Sequence, residues 1–167
     1  MPYESIPLRL QQQAKRNPNA PAYYAKSPGG GWKVTTYRGY ADEVKRAGKA
    51  LIALGLERGS TVSILGFNRP EWIILDVAAM SIGGAPVGIY TTCSPDEVQY
   101  IIHHAESPLV LVENTMQWEK IKKISDRLPL LKHVVMMEGA PVPDDPRAMS
   151  WEQFLEKGDG VEDAVAG

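Results

Sequence analysis

Between Thr61 and Met137, short apolar runs alternate with segments of helical periodicity, and this alternation restricts the fold more than any other feature. The runs are Thr61 to Leu65, Ala85 to Ile89, Leu109 to Val112 and His133 to Met137. Each is too short for a helix. Strands separated by helices pair in parallel, because a parallel pair needs a crossover connection. The runs are apolar on both sides; in Thr61 to Leu65 the polar members, Thr61 and Ser63, are small enough to bury. Such strands require helices on both faces of the sheet. The expected class is therefore α/β, with a mostly parallel sheet.

The segments between the runs carry helix signals. Asn68 and Pro70 open a helix whose apolar residues (Trp72, Ile73, Ile74, Leu75, Val77, Ala78, Met80) surround it, which predicts burial. Gly83-Gly84 stops it. Ser94-Pro95-Asp96-Glu97 is a helix start in which Ser94 and Glu97 can cap each other's backbone N–H. Thr115 to Arg127 is a further helix, and Trp151 to Glu156 a short one capped by Ser150. Residues 138–167 otherwise read as loop and mobile tail, with Val161 and Val165 the only sizeable apolar side chains after Lys157.

The N-terminal stretch has a different rhythm. Pro7 to Arg16 reads as a helix, ended by Asn17-Pro18. Ala22 to Ala25 and Trp32 to Thr36 read as an N-terminal β-hairpin around Ser27-Pro28-Gly29-Gly30-Gly31. Tyr37 to Leu56 reads as a helix capped by Thr36, with Tyr40, Val44, Ala47, Leu51 and Leu54 on one face.

Composition excludes several classes. With 167 residues the chain is one domain's worth, long enough to bury a core. The formal net charge is −2, and basic residues such as Lys120, Lys122 and Lys123 are scattered among acids, so no nucleic-acid partner is expected. The most apolar stretch, Trp72 to Ile82, contains Asp76 and is too short to span a bilayer, so no transmembrane segment is expected. The N-terminus lacks an apolar signal core, which makes the cytoplasm the default location. The single cysteine, Cys93, forms no intrachain disulfide, and nothing nearby in sequence marks it as reactive.

Most chemical motifs reduce to structural ones. Gly29-Gly30-Gly31-Trp32-Lys33 joins two strands rather than a strand and a helix, so it is a hairpin tip and not a phosphate loop. His103 and His104 point about 100° apart on a helix and do not share a metal; no metal site is expected. Asp42-Glu43, Asp96-Glu97 and Asp144-Asp145 read as solvated carboxylates. The places left are set by architecture, since open parallel sheets bind ligands outside the carboxyl ends of their strands. Asn68, Tyr90, Thr91 and Thr92 follow two strands there and are candidate cleft-lining residues. The competing reading, and the preferred one, is that Asn68 caps a helix and Tyr90 packs.

An ordered set of words goes further. Leu10, Ala14, Pro18 and Ala22, then Thr36-Tyr37, then Gly59-Ser60-Thr61-Val62 resemble the start of the adenylate-forming superfamily. Gly66-Phe67-Asn68-Arg69-Pro70-Glu71-Trp72, Gly83 through Thr92, Glu97 to Ile102 and Val112-Glu113-Asn114 resemble the long-chain fatty acyl-CoA synthetases within it. The similarity runs from about Tyr3 to Met137. It implies that residues 1–167 are the N-terminal portion of an AMP-binding domain, part of a larger N-terminal domain. It also implies a parent enzyme, cytoplasmic or associated with a membrane. That enzyme joins a long-chain fatty acid to CoA with ATP and Mg²⁺, releasing AMP and pyrophosphate.

The departures weigh as much. The family's Ser/Thr/Gly-rich phosphate loop, its Tyr-Gly-x-Thr-Glu word and its ribose-binding Asp are absent here. No catalytic, cofactor-binding or metal residue is therefore carried over, and ATP, Mg²⁺ and CoA are not expected to bind this chain tightly. Three readings stay open: an inactive ligase fragment, a stand-alone acyl-chain- or protein-binding module, and an unrelated α/β domain. A sheet cut from a larger domain is also expected to self-associate through an exposed edge.

Overall fold

The computed structural model describes residues 4–163. Helix α1 (Ile6–Arg16) starts on the side chain of Ser5, which accepts from Leu8 N–H. Strands β1 (Pro21–Lys26) and β2 (Trp32–Thr36) form the antiparallel hairpin. Helix α2 (Tyr37–Ala53) follows directly, capped by Thr36 Oγ1 accepting from Gly39 N–H at 3.2 Å.

Five strands then build one sheet: β3 (Thr61–Leu65), β4 (Ala85–Ile89), β5 (Leu109–Val112), β6 (His133–Met136) and β7 (Ala148–Ser150). All pair in parallel, in the order β4-β3-β5-β6-β7. The connections are α3 (Pro70–Ser81), α4 (Pro95–His104) and α5 (Thr115–Ile124), the last extended by a 3₁₀ turn over Ser125–Arg127. Helix α6 (Trp151–Lys157) follows β7.

Alternation along the strands produces two cores. Val62, Ile64, Leu109, Leu111 and Val135 face α1, α2, α3 and α6. Leu65, Val110, Val112, Val134 and Met136 face α4 and α5. Helices thus cover both faces, as the apolar strands demand. The one polar side chain deep in β3, Ser63, is satisfied by Ser107 Oγ at 2.7 Å, and Thr61 Oγ1 donates to the Ala105 carbonyl at 2.6 Å.

Three details correct the sequence reading. Arg69, not Asn68, is the N-cap residue of α3, and its side chain makes no capping hydrogen bond. Tyr90 does not pack, being 84% exposed. The stretch after residue 138 is not all loop and tail. Three of its residues form β7 on the outer side of β6, and the residues after α6 lie on α2. A Cβ on Gly158 would sit 2.7 Å from Ala50 N, so only glycine allows that approach. Asp159 meets Arg46 at 3.3 Å, and Asp163 meets Lys49 at 2.6 Å and Lys45 at 2.9 Å. Val165 and the end of the tail lie outside the described residues.

Candidate functional site

Parallel pairing aligns the carboxyl ends of the strands. Leu65 lies opposite Ile89 in β4 and Val112 in β5, and Val112 opposite Met136. The segments after β3, β4, β5 and β6 therefore emerge along one edge. The chain leaves β3 toward α3 on one face, and leaves β5 toward α5 on the other. Helices that part to opposite faces from neighbouring strands open a crevice, and β3 and β5 are such a pair.

Gly66 starts the turn at this crevice. A Cβ there would lie 2.8 Å from Met137 Cε and 2.9 Å from Glu113 Cβ. The close passage brings Phe67 N–H within 3.1 Å of Glu113 Oε2. The Phe67 ring stays in solvent, 66% exposed. Next along the chain, Arg69 Nη2 donates to Glu71 Oε1 at 2.9 Å and to the Glu138 carbonyl at 2.8 Å. Glu138 N–H donates to the same Glu71 oxygen at 3.0 Å. Glu71 is 3% exposed, and its Oε2 has no hydrogen-bond partner among the described residues. One buried carboxylate thus ties the start of α3 to the end of β6.

The loop after β4 is held from beneath. Lys120 Nζ donates to the carbonyls of Thr91 and Cys93, both at 2.7 Å, and Gln117 Nε2 donates to Thr91 at 3.3 Å. The loop then enters α4 through the reciprocal cap of Ser94 and Glu97. The backbone N–H of Ser94, 2.7 Å away, holds the Glu97 carboxyl below its usual range, with a lesser contribution from Lys120.

The four sequence candidates take different places. Asn68, Tyr90 and Thr92 are exposed at the edge, and Thr91 is half-buried with its carbonyl engaged. Register puts the β3 and β4 ends side by side, so all four belong to one rim. Sequence reasoning missed Glu113, Arg69, Glu71 and Glu138. A buried Glu in the first turn of an otherwise apolar helix was the available signal, but its partners depend on strand order.

Chemically, the rim presents polar and aromatic groups rather than an acid–base pair. Its carboxylates are Glu71, Glu113 and Glu138, and the two cations beside them, Arg69 and Lys120, already serve oxygen acceptors. This set does not fit a nucleoside triphosphate, which needs uncommitted cations. Among the described residues no three His, Cys, Asp or Glu side chains gather as a metal site would require. Two hollows, of ≈ 350 and ≈ 460 Å³, lie instead against α1, and no residue of the strand ends lines them.

The profile of the AMP-binding enzyme family matches residues 10–164. The chain belongs to that family. Among similar AMP-binding enzymes, the human long-chain-fatty-acid–CoA ligase ACSBG2 is 38% identical over 160 residues, covering 95% of this chain and 24% of its own length. The cattle ligase ACSBG1 is 40% identical over 132 residues, 79% of this chain and 18% of its own. The Drosophila melanogaster ligase heimdall is 31% identical over 163 residues, 94% and 24%. The chain thus spans about a fifth to a quarter of these curated relatives.

Solved structures share the family fold. The Mycobacterium tuberculosis fatty acyl CoA synthetase superposes with a TM-score of 0.75 at 21% identity, over 94% of this chain and 28% of its own. The N-terminal domain of FACL13 from the same organism gives 0.75 at 21%, over 95% and 36%. The parallel sheet with its N-terminal hairpin is therefore an AMP-binding enzyme fold. No helix of the described residues is long and apolar enough to cross a membrane.

Proposed function

We propose that the chain is the N-terminal portion of a long-chain fatty acid–CoA ligase. The whole enzyme converts a fatty acid, ATP and CoA to acyl-CoA, AMP and pyrophosphate with Mg²⁺, and works in the cytoplasm, in part at membranes. The observation that carries this reading is the match to curated ligases of that name at 31–40% identity. Residues 1–167 supply the first part of the AMP-binding domain in this reading, and Asn68, Tyr90, Thr91 and Thr92 line its cleft. The unsuited donor set at that rim supports a second element of the proposal: the 167-residue chain alone is inactive.

The test is direct. The chain is incubated with a long-chain fatty acid, ATP·Mg²⁺ and CoA, and acyl-CoA and pyrophosphate are measured. The expected result is neither product. Sustained formation of both by this chain would overturn the inactive-portion reading. A second reading, a stand-alone module that binds an acyl chain or a protein, draws support from the exposed Phe67 and Tyr90 at the rim. Saturable binding of a fatty acid by the inactive chain, abolished by Y90S, would favour it.

A further inference from the structure

The cations of this chain are not evenly scattered. Residues 5–41 contain six of its eighteen Lys and Arg residues and none of its twenty Asp and Glu residues. This acid-free stretch is α1, the hairpin and the first turn of α2. A chain of net charge −2 therefore carries a strongly cationic end.

The hairpin presents two unlike faces. Direct partners in an antiparallel pair share a face, as do residues two apart. Tyr24 lies opposite Val34, and Lys26 opposite Trp32, so these four side chains stand together. Tyr24 is 60% exposed, Trp32 65% and Val34 47%. The Lys26 ammonium lies 5.7 Å from the Trp32 ring centroid. The other face is the packed one. Tyr23 meets Tyr40 of α2 edge-on at 5.4 Å, and its hydroxyl donates to Glu43 at 2.8 Å. The Glu43 carboxylate thus sits beneath the ribbon, not on its outward face. At the tip, Gly30 and Gly31 adopt positive φ, and added Cβ atoms on Gly29 to Gly31 would meet open space.

We propose that the outward face of the hairpin docks on an anionic lipid bilayer. Trp and Tyr favour the headgroup level, where an apolar ring and a polar edge are both accommodated. Lys26 extends its apolar stem along Trp32 and keeps its charge in the headgroups. Lys26 is the cation of that face, since Lys33 pairs with Ala25 on the other and Arg9 is engaged by Glu4; the remaining cations of α1 and α2 reach acidic lipid only over about a Debye length. Charge decides against a second copy as the occupant, because a self-complementary contact sets this patch on itself and none of its four side chains is a carboxylate for Lys26 to meet. The proposal names the surface behind the membrane association given above, and it does not depend on ligase chemistry.

The test uses the 167-residue chain with vesicles of phosphatidylcholine alone, or with phosphatidylserine added. Co-sedimentation is measured together with quenching of Trp32 by brominated lipid. Binding is expected only with phosphatidylserine, and is expected to fall with salt. W32S and K26E should each weaken it roughly tenfold. K122E, on α5, changes net charge equally and should leave binding unchanged. All three sites are exposed, and unchanged circular dichroism checks the fold.

Equal binding to neutral vesicles, no binding to either, or equal weakening by K122E and K26E would each overturn the proposal. So would W32S dissolving a lipid-free dimer without affecting vesicle binding. A longer polypeptide carrying this chain must bind with the same Trp32 dependence; loss of that binding assigns the face to an internal contact. Absence of ligase activity leaves the vesicle result untouched, so the two readings fail separately.

Discussion

At the scale of single residues, Glu71 concentrates the most consequence. It is buried in the first turn of α3, where a negative charge suits the positive end of the helix. One oxygen serves both Arg69 and the Glu138 N–H. Removing it leaves the Glu138 N–H without its acceptor and the half-buried guanidinium with the Glu138 carbonyl alone. E71A is therefore expected to lower stability by about 1–3 kcal/mol. The guanidinium's partial exposure puts the loss below that of a fully buried ion pair. E71Q keeps an oxygen for the same donors and can turn its amide toward the site of the unpartnered Oε2, so it should cost less. Urea midpoints of both variants check the ordering; an E71A midpoint equal to that of the parent would show that the network contributes nothing.

At the scale of elements, short-range rules set the boundaries. Ser94 and Glu97 bind each other's backbone N–H, at 3.3 Å and 2.7 Å, and start α4 right after the rim loop. S94A is expected to cost about 1 kcal/mol. It should also speed amide exchange at Glu97, and unchanged exchange there would count against the cap. Local signals placed β3, β4 and β5 at their observed bounds and marked the start of α4. They failed at β7, whose three residues follow a Pro- and Asp-rich loop and have no periodicity of their own. That strand exists because the outer edge of β6 is free to pair with it. They failed again after α6, where Gly158 reads as a flexible tail until α2 is placed against it.

At the scale of the molecule, the sheet ends in two open edges. β4 pairs on one side with β3, and β7 on one side with β6. Pro86 guards the β4 edge, since it offers no N–H to an incoming strand. The outward N–H groups of β7 are taken as well, Ala148 donating to the Asp145 carbonyl and Ser150 to Gln153 Oε1, both at 2.9 Å. Self-association through an open edge is the expectation, and sedimentation velocity over a wide concentration range should show a reversible larger species. A strictly monomeric chain would refute it.

The amino-acid sequence by itself determined the class of fold and most element positions, because burial on two faces and helix capping act between residues close in the chain. The ordered words from Leu10 to Asn114 pointed to the family by resemblance, and the family profile over residues 10–164 showed it. Strand order, the crevice between β3 and β5, the Glu71 network and the outward face of the hairpin were decided only by tertiary structure. Each depends on which distant segments lie side by side. Backbone alternation states that a residue has a face, and packing alone decides what that face meets.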